Sequence, residues 1–287
     1  VLPYGKSLHM YSKNDYLAKK PKCVRIYTKG WDSGIGLSMH IWMGDYTADV
    51  ITNDERFSSY ATSGATLSTS ERTGEKLGVK RLGVLRADVD NLGLTFVNGL
   101  PDDKVSISRT ATLSRSLSYF FKHEINVILR KGDYQVQIIY SGGDDLFIIG
   151  NWSDIIKAAI DIHDEFAAFV GNGTLTISAG VGMFDEKYPI ARMAAETGEL
   201  ENEAKLHISS ETGSAKNAIA LWTKQTVYSW DEFIDCIVPR TSEIQRIFDH
   251  NEKGRAFIYR LLELLRRTDE TISVPQLAYL LARSFED

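Results

Sequence analysis

The chain has 287 residues, 43% of them hydrophobic and 25% charged, with a net charge of −5. That length and apolar content support a substantial core in one large domain or two. A balance this mildly acidic excludes a general polyanion binder, so any contact with RNA or DNA has to come from local basic patches. The two cysteines, Cys23 and Cys236, are far apart and form no CxxC pair, which argues against a structural zinc site and fits reduced thiols in a cytoplasmic protein. No apolar run approaches the roughly 20 residues of a membrane span. No signal peptide opens the chain, and the start at Val1 reads as a piece of a longer protein.

Residues 1–80 read as irregular, with strand-like pieces at 23–27 and 37–42 and a Ser/Thr/Gly-rich surface loop over 58–78. The pattern changes at Leu82, where a short apolar run ending in Asp88 predicts a buried strand. A turn at Pro101 precedes a long amphipathic helix over 106–130, its apolar stripe running Leu113, Leu117, Phe120, Phe121, Ile125 and Ile128. Two strands, 134–140 and 146–149, flank Ser141-Gly142-Gly143-Asp144-Asp145 as a hairpin. Ser153 is the expected N-cap of a helix reaching Val170. A strand over 174–181, a helix entered near Pro189 and ending near Lys205, and a last strand over 218–222 follow. The order β-α-β-β-α-β, then α-β, is the ferredoxin-like split βαβ plan with an extension, an α+β fold whose antiparallel sheet carries helices on one face. Beyond Trp230 the sequence reads as all-helical, with candidates at 231–237, 242–251, 255–267 and 275–285 and a break at Gly254. The expected division is a β-containing linker region to residue 80, an α+β domain over 81–224 and a small all-α domain over 225–287.

The hairpin carries the chemistry. Gly142 and Gly143 permit a tight turn and close approach of a phosphate or metal to the backbone. Asp144 and Asp145 repel one another at its tip, and water or a divalent cation has to offset that repulsion. A lone Gly-Gly-Asp-Asp sequence is most often just a turn. Here the strand ending in Asp88 lies beside the hairpin in the split βαβ plan, so Asp88 and Asp144 can meet at one site. Oxygen donors of this kind suit Mg²⁺ or Mn²⁺, which keep their waters and bind substrate phosphates. The Asp90-Asn91-Leu92-Gly93 turn can offer backbone N–H groups to phosphates, and Lys205 and Lys216 are candidate triphosphate cations, although isolated lysines are usually solvated.

These motifs, with Ser178-Ala179-Gly180-Val181-Gly182 and Glu203-Ala204-Lys205 between the hairpin and Lys216-Asn217, resemble the nucleotidyl-cyclase palms of diguanylate-cyclase type in their order. The Asp-Asp hairpin with Leu85-Arg86-Ala87-Asp88-Val89-Asp90-Asn91-Leu92-Gly93 upstream resembles the large palm subunit of type III CRISPR effector complexes. The segment Ile41-Trp42-Met43-Gly44-Asp45 and the spacing point to the III-A form. The resemblance implies a second palm followed by the C-terminal helical domain, and an enzyme that converts ATP into cyclic oligoadenylates with two Mg²⁺ or Mn²⁺ ions. It implies partners as well: other subunits of the ribonucleoprotein, and a guide RNA whose pairing with target RNA switches the enzyme on. Carried over by position, Asp88, Asp144, Asp145 and the Val89 carbonyl match metal ligands, residues 91–93 the phosphate turn, and Lys205 and Lys216 the triphosphate lysines.

Two alternatives stand beside this reading. One is a stand-alone diguanylate-type cyclase, although Leu146 occupies the place where that hairpin usually carries Phe. The other is a non-catalytic palm scaffold holding guide RNA and subunits, against which the intact Asp88, Asp144 and Asp145 argue. The dipeptide His163-Asp164 spells the mark of a nuclease domain that many members of the type III group carry. Its helical spacing with Ile156, Ala159 and Ile160 makes His163 a half-buried helix residue instead. The basic positions Arg255, Arg260, Arg266 and Arg267 beside an apolar stripe are a candidate docking surface for a small subunit.

Overall fold

The computed structural model describes residues 9–19, 25–29, 38–48, 56–65, 68–69, 76–99, 106–171, 175–210 and 212–250, with Tyr259, Leu262 and Glu263 beyond them. The short elements α1 (Lys13–Lys19), β1 (Ile26–Thr28), β2 (Ser38–His40), α2 (Arg56–Ser63), β3 (Ser68–Thr69) and β4 (Lys76–Leu77) come first. The main body follows as β5 (Leu82–Val89), α3 (Leu92–Asn98), α4 (Ile107–Tyr119), a π-helical turn (Phe120–Glu124) and α5 (Ile125–Lys131). Then come β6 (Val136–Ser141), β7 (Asp145–Asn151), α6 (Trp152–Val170), β8 (Ile177–Phe184) and α7 (Ile190–Leu206). The described part closes with β9 (Ala218–Leu221), β10 (Val227–Ser229), α8 (Trp230–Glu232), a second π-helical stretch (Phe233–Ile237) and α9 (Val238–His250).

Six strands form one sheet in the order β10-β9-β8-β5-β7-β6. Four consecutive members, β8-β5-β7-β6, pair antiparallel with their neighbours and make the ferredoxin-like core that the element order predicts. Strand β5 lies at the centre, and only two of its eight residues are more than marginally exposed. Such a near-continuous apolar run belongs to a strand covered on both faces. Leu85, Ala87 and Val89 meet Leu117, Phe120, Phe121 and Ile125 of the α4–α5 rod and Ile155, Ala158 and Ile162 of α6 in one core. On the other face Leu82 and Val84 pack with Tyr60 and Ala61 of α2 and Met193 of α7.

Helices therefore cover both faces, not one. The reason lies in the extension: β9 pairs parallel to β8. A parallel neighbour requires a crossover, and α7 makes it on the face opposite α6. Its approach to the sheet is close at Gly180, where an added Cβ would stand 2.6 Å from the Thr197 carbonyl oxygen of α7.

Two local expectations are corrected, at residues 56–63 and at the cap of α6. Residues 56–63 of the expected loop form α2, because Tyr60 and Ala61 gain a sheet face to bury against. Residues 45–48 lie along the edge strand β6, with Ile138 N–H donating to Tyr46 O and Ala48 N–H to Val136 O, which pairs groups an edge would leave open. The N-cap of α6 is Asn151, whose side chain accepts from Ser153 N–H, so Ser153 is the donor and not the cap. The tenth strand, β10, was unmarked in the sequence because it is three residues long and half-buried. The expected helix 106–130 is continuous but carries the π turn, and Ser106 caps it by accepting from Arg109 N–H. The expected helices 255–267 and 275–285, Gly254, the arginine surface, Cys23 and the Pro101 turn lie outside the described residues, apart from Tyr259, Leu262 and Glu263.

Candidate active site

The site forms where β5 ends. Cross-strand register sets Asp88 of β5 directly opposite Asp145, the first residue of β7. Opposed residues of an antiparallel pair share a face with Cβ atoms about 5 Å apart. The next rung is a backbone bond from Val89 N–H to the Asp144 carbonyl oxygen at 3.1 Å, and the turn closes with Gly142 N–H on Asp145 O at 2.9 Å. An added Cβ on Gly142 would collide with Asp145 Oδ1 and the Tyr140 hydroxyl, whereas Gly143 is exposed and unobstructed. The first glycine therefore makes room for the acids, and the second opens the tip.

Asp144 stands half-buried. Burial pushes its pKa above the ordinary 3.8, the negative charges of Asp88 and Asp145 push the same way, and Lys205 partly opposes them. The field of Asp145, with desolvation and a hydrogen bond, likewise raises the Tyr140 hydroxyl. Opposing charge comes from α7, where the Lys205 ammonium donates to Asp88 Oδ2 and, at 2.9 Å, to Glu201 Oε1. Burial alone would lower the Lys205 pKa, but the bonds to Asp88 and Glu201 outweigh it and the net shift is upward.

The turn after β5 divides its duties. Asp90 is 2% exposed. Its Oδ2 accepts from Thr176 Oγ1 at 2.8 Å, Ser178 Oγ at 2.9 Å and Asn217 N–H at 3.1 Å. That carboxylate is turned into the protein, where it clamps the turn to β8 and to the corner before β9. Asn91 adopts the left-handed region at φ 54° and accepts from Lys216 Nζ at 2.6 Å. Leu92 packs on the core, Gly93 is exposed with open space where a Cβ would stand, and Val89 is buried. Asp88, Asp144, Asp145, Lys205, Asn91 and Lys216 thus gather around the end of the central strand, while Asp90 serves from beneath. Two further charged residues belong to the group and are not evident as chemistry in the sequence: Arg86, whose Nε lies 3.3 Å from Glu201, and Glu201 itself. Their signals are spacing, Arg86 being two residues before Asp88 on one strand face and Glu201 four before Lys205 on one helix face.

Among the described residues no three His, Cys, Asp or Glu side chains stand close enough to enclose a metal ion by themselves. The donor set nevertheless fits a hard divalent cation of the Mg²⁺ type. Such an ion uses one or two carboxylates and completes its shell with water and substrate phosphate, and mutual repulsion at Asp144 is the charge excess that it would relieve. The raised pKa also carries a stability consequence. A carboxyl group that holds its proton more tightly when folded adds stability that is complete below its unfolded pKa and is lost as pH rises through the folded one. In chelated buffer, the Tm advantage of Asp144→Asn over wild type is expected to widen as pH rises from 3.8 through the shifted value and then hold constant. A flat difference would show that Asp144 is as solvated as an ordinary aspartate.

The dipeptide His163-Asp164 sits far from this chemistry in character. His163 Nδ1 lies 2.9 Å from Asp164 Oδ1, and the ring stacks on Trp230 with centroids 4.4 Å apart.

An extended ferredoxin-like sheet with an acidic hairpin beside the carboxylate of its central strand is a palm architecture. Residues 81–220 match the Cas10/Cmr2 second palm domain, and residues 231–287 match the second helical domain of the CRISPR RNA silencing complex Cmr2 subunit. The chain belongs to the Cas10/Cmr2 family, of which it carries these two domains. It is 43% identical, over 93% of its length, to the CRISPR system single-strand-specific deoxyribonuclease Cas10/Csm1 (subtype III-A) of Enterococcus italicus. It spans 33% of that protein, about a third of its length. Among solved structures it is similar to Csm1 of T. onnurineus, with a TM-score of 0.67 and 27% identity over 92% of this chain and 39% of that one. It is also similar to a Csm1–Csm4 cassette in complex with one ATP, with a TM-score of 0.64 and 26% identity over 91% of this chain and 38% of the other. Such cassettes are also solved with cA3 and with cA4.

Proposed function

We propose that this palm converts ATP into cyclic oligoadenylates, acting in a type III-A CRISPR ribonucleoprotein together with other subunits, guide RNA and a target RNA that switches it on. The observation that carries the reading is the register of β5 against β7, which sets Asp88 beside the Asp144-Asp145 tip with Lys205 on Asp88. The likeness to cassettes solved with ATP, cA3 and cA4 supports adenine nucleotide as substrate and product. A cytoplasmic location belongs to the same proposal; no helix among the described residues is long and apolar enough to cross a membrane.

In this reading Asp88, Asp144, Asp145 and the Val89 carbonyl would hold two Mg²⁺ or Mn²⁺ ions. Bound there, the ions supply charge neutralisation at the phosphates and a more acidic ribose 3′-hydroxyl. The reaction is attack of a 3′-oxygen on an α-phosphorus, with loss of the 3′ proton and departure of pyrophosphate. Lys205 and Lys216 supply positive charge to the triphosphate as point cations. The N–H groups of Leu92 and Gly93, in the first turn of α3, have no intrahelical acceptor and are available to phosphate oxygens. Asp90 holds that turn in place from below. Because phosphoryl transfer asks mainly for positioning and electrostatics, no nucleophilic side chain is needed.

The test is incubation of the full-length protein in its assembly with each labelled triphosphate and Mg²⁺ or Mn²⁺, with and without target RNA. Conversion of ATP to cyclic products that depends on target RNA is expected. Release of cyclic di-GMP from GTP would replace the substrate assignment, and inertness under every condition would favour the scaffold reading.

A further inference from the structure

On the α7 face of β5, Arg86 and Asp88 project side by side, two residues and so about 6.8 Å apart along the strand. Over them, Glu201 and Lys205 are four residues and about 6 Å apart along α7. The spacings match, and the charges alternate: Arg86 meets Glu201 and Asp88 meets Lys205. Arg86 reaches its partner by lying across α7, with Nη1 donating to the Ala194 carbonyl at 3.4 Å and resting where a Cβ on Gly198 would come within 2.8 Å. Glu201 is the buried centre of this group, 5% exposed, and it accepts from Lys205 at 2.9 Å while pairing with Arg86 at 3.3 Å. A buried carboxylate is retained only when it is paired and hydrogen-bonded. Within the four, two cations balance two acids, and Asp144 and Asp145 remain as the excess.

We propose that Glu201 is a positioning residue that tethers Lys205 so that its ammonium can leave Asp88 for an incoming triphosphate without leaving the site, with Arg86 anchoring Glu201 from the other side. This rests on the reading of Lys205 as a triphosphate cation. Without the tether, Lys205 would be held by Asp88 alone among these acids, and phosphate would have to compete for it with a carboxylate that metal also needs. With the tether, the lysine keeps one fixed partner while it exchanges the other.

The test is equilibrium binding of α,β-methylene-ATP, whose α–β linkage cannot be cleaved, to the full-length protein in its assembly with Mg²⁺. Glu201→Gln keeps the shape and removes the charge. Affinity is expected to fall about tenfold, equivalent to about 1.4 kcal/mol, because the lost bond is one to a charged group. Lys205→Gln is expected to fall at least as far, and the double variant no further than Lys205→Gln alone, because Glu201 acts through Lys205. A loss from Glu201→Gln that persists undiminished on the Lys205→Gln background would reduce Glu201 to a general structural role. Should Glu201→Gln fail to assemble, Glu201→Asp keeps a negative charge on α7 but shortens its reach to Lys205, and the same direction of change is expected. Wild-type affinity in both Glu201 variants would overturn the tether while leaving the cyclase reading intact. A wild-type assembly that binds no α,β-methylene-ATP at all would overturn both.

Discussion

Replacing both hairpin acids, Asp144→Ala together with Asp145→Ala, is expected to remove ATP conversion by three or more orders of magnitude while leaving the fold as stable as before. The two halves of that expectation come from different atoms. The hairpin is held by its backbone, through Val89 N–H on the Asp144 carbonyl and Gly142 N–H on the Asp145 carbonyl. Alanine retains both bonds. What is lost is a pair of carboxylates that repel each other and Asp88, one of them with its pKa raised by burial. Stability is expected to stay within about 0.5 kcal/mol of wild type, with any change in the favourable direction. Electrostatic and metal-ion terms, by contrast, are worth several kcal/mol in phosphoryl transfer, and each 1.36 kcal/mol is about tenfold in rate. Tm, subunit stoichiometry and RNA binding at wild-type levels, with product absent, is the pattern that fits. Near wild-type turnover in the double variant would place the reacting centre elsewhere.

The second large effect concerns stability and sits on the α6 face of the sheet, behind the same strand end, where Ile177 of β8 pairs with Val89. Trp230 opens α8 directly after β10 and is 1% exposed. Its indole N–H donates to the Ile177 carbonyl of β8 at 2.8 Å, one face stacks on His163 of α6, and its edge meets Phe233. One side chain thus joins the sheet, α6 and the first turns of the C-terminal helical region. Trp230→Ala removes a full-size aromatic from that junction and leaves a buried carbonyl unpaired. The expected cost is about 3–5 kcal/mol, or roughly 10 °C in Tm for a chain of this size. Trp230→Phe keeps most of the packing and loses only the N–H, so a cost of about 1–3 kcal/mol is expected. Thermal unfolding of the two variants checks this. A Trp230→Ala chain that melts like wild type would mean that the helical region is attached to the palm by something other than this junction.

Much of the site was legible from residue order. Asp88 closes an apolar run, and apolar runs of that length become central strands whose ends are exposed at the sheet margin. Gly142 to Asp145 separates two such runs, and so it had to be their turn. Once the split βαβ order is recognised, the strand and the hairpin are neighbours, because that topology allows no other place for them. The helices α6 and α7 were equally plain, since periodicity at 3.6 residues survives in any context.

The tertiary structure alone decided the rest, for physical reasons that can be named. Asp88 and Asp90 lie two residues apart, and nothing in the sequence marks the second as buried. Only the hydroxyls of Thr176 and Ser178 and the backbone of Asn217 turn Asp90 inward as a clamp. The coverage of both sheet faces depended on β9 joining parallel to β8, a choice of pairing partner that no local pattern encodes. The helix α2 hid in a polar stretch because its stability comes from Tyr60 and Ala61 meeting Leu82 and Val84 across the sheet, and not from its own propensity. Glu201 became a candidate only when α7 was laid on β5, for a buried acid is defined by what faces it. Residue order marked which side chains could do chemistry at the strand end; which carboxylates gather there and which turn to the core was settled by long-range contacts, because pairing partners of a charge are chosen in space and not along the chain.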